Sequence, residues 1–387
     1  MSLADRLRSL RRRAGRVSRS RRAGALLVAG GFVLSRVVYI GCLGVRFDAE
    51  PLGRYVQFVD PALLRTDLLR SLFYLPDQPP ALNLFLGIVL KAFPSSFVLA
   101  FHAAFLAMGL AGALSVYFLA RRLRCGGGLA MLLATALFVE PGTVLYEHWL
   151  FYAYPVAVLL VLAALGLHRL LCSGTRRDAL FAFGAFALLV LTRGIFHLAV
   201  YLAILGGTLV VRRTWWRPIT TGALVPTLLV CGVYAKHALL YRELTIGGLY
   251  RDVNLYLMQA PRIRGERLQG LRARGSISGA CSFQFGADVD LDRLVRRGGL
   301  RVDRSGVPIL DTTWKSTGAT NWHSSAARAV AEACASDARA IRAAFPEAYR
   351  ASLRANVERY FQPAIATYPF SPAGTANAQR LLGLNRW

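Results

Sequence analysis

RFDAEPLGRYVQFVDPALLRTDLLRSLFYLPDQPPALN, residues 46–83, holds five carboxylates: Asp48, Glu50, Asp60, Asp67 and Asp77. The half of the chain around it is dominated by Leu, Ala, Val and Phe. It directly follows residues 23–43, an apolar run long enough to cross the ~30 Å hydrocarbon core of a bilayer. A dense polar loop in an apolar setting is where chemistry concentrates. The other segments read as its support at a membrane surface.

Composition agrees. The 387 residues are 55% hydrophobic, and the mean hydropathy is +0.41. These values belong to an integral membrane protein, not to an ordinary soluble one. The formal net charge of +26 would otherwise point to nucleic acid. Here the basic residues form short clusters between apolar runs, which is the pattern of cytoplasmic membrane loops, so no nucleic-acid partner is expected. Nearly all are Arg; Lys occurs at 91, 236 and 315. The six Cys form no CxxC pair. Cys281 and Cys334 fall in the polar C-terminal part and could form a disulfide if that part is extracytoplasmic.

Further apolar runs occupy residues 97–120, 129–145, 149–171, 179–191, 195–211 and 218–240. With 23–43 the expectation is seven spans. Arg6 to Arg22 include nine arginines, which places the N-terminus in the cytoplasm. Arg121–Arg124, Arg176–Arg177 and Arg212–Arg217 then all fall inside, provided residues 79–93 do not cross. That segment is short for a span and reads as an interfacial helix on the outer side. The division is a basic cytoplasmic tail (1–22), a transmembrane module (23–240, with outer loop 46–96) and an extracytoplasmic C-terminal region (241–387).

Within the loop, Asp60–Pro61 has the form of an N-cap followed by proline at the first helical position. Leu64, Leu68 and Leu72 give that helix one apolar stripe. Residues 241–321 read as loop-rich, with helices expected over 325–344 and 346–361.

The candidate residues gather on the outer face. Asp48 and Glu50, at the mouth of the first span, could ligate a divalent cation or supply a general base; a solvated acidic turn explains the same spacing. Glu147 and His148 lie in the next outer turn and could tune proton transfer, or simply cap two helices. Arg193 breaks a run of mostly apolar residues. A charge there needs an anionic partner or must snorkel, and on the outer face it could bind phosphate. His197 is one turn further on. Gln57, Gln78 and Asn83 suit sugar hydroxyls or loop backbone equally. Arg54 could contact a lipid phosphate. Asn321-Trp322-His323 is a compact polar-aromatic cluster that could stack on a sugar.

The order of basic N-terminus, first span, acidic loop, amphipathic helix and Pro-Pro helix resembles the GT-C superfamily of polytopic glycosyltransferases. It is similar in particular to the protein O-mannosyltransferase and aminoarabinose transferase group, glycosyltransferase family 39-like. Asp48 and Glu50 match that group's first acidic motif, Asp77-Gln78-Pro79-Pro80 its Pro-Pro element, and Glu147 its second acidic position. The His or Lys usual before Pro-Pro is absent, so Arg193, Arg54 or Lys236 would have to meet the donor phosphate. The resemblance implies an all-α polytopic membrane protein with a GT-C-like bundle of about seven transmembrane helices. It also implies an inverting transfer of sugar from a polyprenyl-phosphate donor to a glycan, lipid or protein acceptor. In that reaction Asp48 would be the base and Arg193 would face the leaving phosphate. A non-catalytic relative, or an assembly partner in envelope glycan synthesis, is the alternative.

Overall fold

The computed structural model describes residues 21–284, 286, 288–361 and 372–382. The basic tail before Arg21 lies outside the described residues. The described chain is helical, and its extended pairing is limited to two isolated bridges, Asp48–Trp149 and Trp314–Thr320.

Helix α1 (Arg21–Cys42) leads into the loop 46–96, which contains α2 (Pro51–Arg54), α3 (Pro61–Thr66), α4 (Leu68–Phe73) and α5 (Pro80–Ala92). Then follow α6 (Phe97–Arg122), α7 (Gly127–Val139), α8 (Pro141–Glu147), α9 (Ala153–Ser173), α10 (Arg176–Thr192), α11 (Leu198–Val211) and α12 (Trp216–Tyr241). Four helices are long and apolar enough to cross a membrane: α1, α6, α9 and Arg213–Tyr241, which contains α12. A fifth crossing arises if α7 and α8, bent by 58°, act together. The bend falls at Glu140-Pro141, where Glu140 caps α8 through Thr143 N (2.7 Å) and proline takes the first helical position. Their outward surfaces carry bare leucines, such as Leu26 and Leu27 on α1 and Leu228 and Leu229 on α12. An apolar belt of that extent fits lipid and not water.

The helices alternate in direction. Tyr117, near the end of α6, donates to Arg21 O at the start of α1 (3.1 Å). At the other end Phe47, just past α1, stacks on His102 near the start of α6 (5.2 Å). The loop 46–96 therefore leaves and returns at one end of the bundle. At the opposite end, Gly174 between α9 and α10 abuts the Trp215 ring beside α12, so Arg176–Arg177 and Arg212–Arg217 share that end. Gly166 lets α9 meet α10 backbone to backbone: a Cβ there would lie 2.8 Å from Ala182 Cα.

In the loop, Asp60 Oδ1 accepts from Ala62 N (3.0 Å), as the cap requires. Leu64, Leu68 and Leu72 are all buried. The single helix expected there is two, broken at Asp67 (φ −134°, ψ 47°).

The C-terminal region corrects the loop-rich reading of 241–321. It contains α13 (Gly248–Gln259), α14 (Gly265–Ala273), α15 (Leu291–Gly298) and α16 (Pro308–Asp311), before α17 (Ser325–Ala344), α18 (Pro346–Tyr360) and α19 (Pro372–Leu382). The apolar stripe of α13, Leu249, Val253 and Tyr256, is buried against α17; frequent Arg and Gly around it mask the period. Cys281 and Cys334 form a disulfide across this core. The Cys281→Ser/Cys334→Ser protein is expected to lose ~2–5 kcal/mol of stability in this region. That loss would be read as a lower thermal transition of the purified chain, and an unchanged transition would deny the bridge any structural role.

Candidate functional site

Asp48 is placed by backbone pairing. The last turns of α1, Val37–Cys42, are π-helical, a form frequent beside functional sites. The chain then bends at Gly44 (φ +66°). Asp48 N donates to His148 O (2.7 Å), and Leu150 N donates to Asp48 O (2.9 Å). The carboxylate is buried, at 2% exposure, and its Oδ1 accepts from Glu50 N (3.0 Å). Around it stand aromatics: Tyr55 lies edge-on to Trp149 (5.7 Å) and to Phe151 (5.4 Å). Burial pushes the Tyr55 phenol well up, and the charges of Asp48 and Glu50 push it further. Glu50 is half-buried, 3.7 Å from Arg54, which also reaches Asp288 at 3.6 Å.

Arg193 approaches the same turn from the other side. It closes α10 in extended conformation, with its guanidinium 4.3 Å from the centre of the Tyr152 ring. Trp149, paired with Asp48, and Tyr152, under Arg193, are three residues apart. Three residues of extended chain span at most ~10 Å. The next residue, Gly194, is packed so closely that a Cβ would sit 2.8 Å from Ile246 O and 4.0 Å from Pro79 Cγ. The Pro-Pro element, the 149–152 turn, the α10–α11 break and the start of the C-terminal region thus meet at one point.

Two neighbouring side chains of α12 reach the segment before Pro79. Lys236 Nζ donates to Leu75 O (3.1 Å), and His237 Nε2 bonds Pro76 O. Asp77 follows, buried, with Oδ1 accepting from Leu249 N (3.0 Å). Its carboxyl is pushed up to about 7 by burial; Leu249 N–H and Arg328 work against this, and Glu243 and Asp252 add to it. A carboxyl raised in the folded state keeps a proton that the unfolded chain has lost. Between the ordinary value of 3.8 and about 7, stability therefore falls as pH rises, by at most about 1.4 kcal/mol per pH unit. Asp77→Asn keeps the acceptor and removes the charge. It is expected to match the parent at pH 4.5 and to melt higher at pH 8; parallel melting curves at both pH values would remove Asp77 as the source.

Glu147 is fully buried and fully engaged. Arg36 Nε donates to Oε1 (3.0 Å), Arg36 Nη2 pairs with Oε2, and Tyr154 Oη donates to Oε2 (2.6 Å). Arg36 also donates to Phe138 O (2.6 Å). Gly109 makes room: a Cβ there would fall 2.4 Å from Tyr154 Oη and 2.9 Å from Glu147 Oε2. His148, also buried, bonds Val144 O through Nδ1 (2.9 Å) and meets the His102 ring at 4.9 Å.

Asn83, His197 and the 321–323 cluster hold backbone. Asn83 Oδ1 accepts from Val59 N (2.9 Å), and its Nδ2 donates to Gln57 O (3.3 Å). The Gln57 and Gln78 side chains are partly buried. His197 caps α11: Nδ1 accepts from Ala199 N (3.2 Å), which leaves Nε2–H to donate to Leu244 O (3.3 Å). Asn321-Trp322-His323 ties the C-terminal region together: Asn321 Nδ2 donates to Ile309 O (2.9 Å) and Trp322 Nε1 to Gly286 O (2.8 Å). Nearby, Lys315 Nζ donates to Tyr55 O (2.7 Å) and Ser316 N to Asp60 Oδ2 (2.8 Å), clamping this region onto the outer loop. For a divalent cation, Asp48 and Glu50 are the donors at hand. Among the described residues no group of three or more His, Cys, Asp or Glu gathers as a metal cluster.

No family model, curated protein or solved structure matches this chain.

Arg36, His237 and an aromatic wall were passed over in the sequence, where Lys236 was named only as one of three cations that could meet a donor phosphate. Arg36 interrupts the first apolar run just as Arg193 interrupts a later one, and the same rule flags it. Lys236 and His237 sit in a row within an apolar run, an equally visible signal. The aromatic wall of Tyr55, Trp149 and Tyr152 carried no distinguishing pattern, because aromatics are common at membrane interfaces.

Proposed function

We propose that the chain is a GT-C-type glycosyltransferase of the cell membrane, with seven spans, a cytoplasmic N-terminus and its chemistry on the extracytoplasmic face. It moves a sugar from a polyprenyl-phosphate donor to a glycan, lipid or protein acceptor. Asp48 takes the proton of the acceptor hydroxyl, the oxygen attacks the anomeric carbon with inversion, and the phosphate leaves toward Arg193. The observation that carries this reading is the 149–152 turn: a buried carboxylate is bridged to one end of it and a guanidinium stacks on the other. That spacing suits a reacting sugar with its phosphate. Arg193, already in extended backbone at the end of α10, supplies a charge-assisted contact for the oxyanion. Glu147 holds the turn through Arg36, as a positioning residue.

Two further features support the topology. The basic helix ends lie at one end of the bundle and the acidic loop at the other. The Cys281–Cys334 bridge suits an oxidising compartment.

The competing reading is a non-catalytic assembly partner. It is favoured by the loop-clamping contacts of Lys315 and Ser316 and by the commitment of Asn83 and Glu147 to structure. Comparing the envelope glycans and glycolipids of a deletion strain with its parent separates the two. Loss of one sugar, restored by the wild-type chain and not by Arg193→Ala, is the expected result. Full restoration by Arg193→Ala would remove Arg193 from the reaction.

A further inference from the structure

A second candidate site lies in the C-terminal region, in a cleft of about 230 Å³ among α13, α17 and α18. Its walls carry Arg251, Arg339, Arg342 and Tyr349, with Asp252 at the side and Gln259 in the lining. Arg251 is paired with Asp252 (2.7 Å). Arg339 and Arg342 have no carboxylate within ion-pair distance among the described residues. Arg342 lies 5.5 Å from the centre of the Tyr349 ring.

The second observation is Gln259, only 2% exposed. Its Nε2 donates to Leu255 O (2.7 Å). That bond sets the orientation of the amide, since the reverse would face two carbonyl oxygens against each other. The residue lines the cleft, and its Oε1 is buried without a hydrogen-bond donor among the described residues. An unpaired buried acceptor costs about 1–3 kcal/mol, so a donor in the ligand would relieve a cost already present.

We infer that this cleft binds a hydroxylated oxyanion, the chemistry of a single acidic sugar unit. The two unpaired guanidiniums take the phosphate or carboxylate, which Arg does in bidentate fashion. Gln259 Oε1 accepts from a ring hydroxyl. A bare anion satisfies only the arginines, and a neutral sugar satisfies only the glutamine. The volume lies below the ~300–1,000 Å³ of sites that enclose a drug-sized molecule. It fits one ring. The inference does not depend on the transferase reading and survives its failure.

The test uses the full-length chain in nanodiscs of zwitterionic lipid. Glucose 6-phosphate, inorganic phosphate and glucose are titrated by calorimetry. Glucose 6-phosphate is expected to bind roughly tenfold more tightly than either of the others. Arg339→Ala/Arg342→Ala, both on exposed positions, is expected to weaken both anions by on the order of tenfold. Gln259→Met is expected to bring glucose 6-phosphate down to the level of inorganic phosphate, leaving inorganic phosphate unchanged. The thermal transition of each variant is followed in parallel; should Gln259→Met unfold, the ligand ranking and the arginine pair decide alone. Equal binding of glucose 6-phosphate and inorganic phosphate overturns the proposal. So does an arginine effect seen only on phosphatidylglycerol vesicles, which would make the cleft a lipid-headgroup contact.

Discussion

Asp48→Asn is expected to lower sugar transfer by ~10²–10⁴-fold, the usual contribution of a general base, without changing the thermal transition. The reason lies in how the residue is held. Its backbone is fixed on both sides of the carbonyl by His148 O and Leu150 N, and its Oδ1 accepts from Glu50 N. An asparagine can keep all three contacts, because its amide oxygen remains an acceptor. What it loses is the capacity to take a proton. Glu50→Gln serves as the control: that side chain is half-buried and near Arg54 at 3.7 Å, a contact worth little in water, so a modest effect is expected. Initial rates with a lipid-linked sugar donor read both variants. Full activity in Asp48→Asn would remove it as the base, and equal losses in the two variants would point to a shared electrostatic role for the pair.

Arg36→Leu is expected to destabilise the chain by ~3–5 kcal/mol, the cost of leaving one member of a buried ion pair alone. Arg36 and Glu147 are 5% and 0% exposed, respectively, so neither charge can be rehydrated where it stands. Glu147→Gln should also destabilise, because the guanidinium keeps Phe138 O, Ser35 Oγ and one amide oxygen as acceptors but loses its counter-charge in a buried place. The double variant Arg36→Leu/Glu147→Leu should recover much of the loss, since apolar pairs often replace buried ion pairs at little net cost. The non-additivity of that cycle is the signature of direct coupling. Yield in detergent and thermal transition are the readouts; a single Arg36→Leu that behaves as wild type would mean the pair stabilises nothing.

The parts of the fold written in local chemistry were legible. Asp60-Pro61 announced a helix start, Leu64, Leu68 and Leu72 its buried stripe, and Pro79-Pro80 the next helix. A helix over about 325–344 was also expected and is present as Ser325–Ala344. What stayed hidden depends on partners distant in sequence. Glu147 reads as an outer acid until Arg36, 111 residues away, is seen to take its carboxylate. Asn83 reads as a sugar ligand until Val59 N reaches it. The chain is nearly free of lysine, and two of its three lysines, Lys236 and Lys315, donate to outer-loop carbonyls, Leu75 O and Tyr55 O. A compact ammonium on a flexible stem can meet a single carbonyl where a planar guanidinium would need more room. The scarcity of Lys was visible; its meaning required the loop to be folded.

The ion pair between the first helix and the α8 turn also constrains how the protein is made. In the seven-span arrangement, Arg36 enters the bilayer before α8 has been made. Its counter-ion is not yet synthesised. A lone arginine near the middle of an inserted helix costs ~2.5–3.5 kcal/mol on the insertion scale. Arg36 lies only six residues, about 9 Å of helix, from Cys42, the end of α1, and can reach up to the interface while it waits. The pairing of α1 with the α8 turn is therefore completed late, when Glu147 arrives and draws the guanidinium back inward. Until that moment Asp48 has no turn to pair with, so the nascent first span carries its acidic motif in an unformed state.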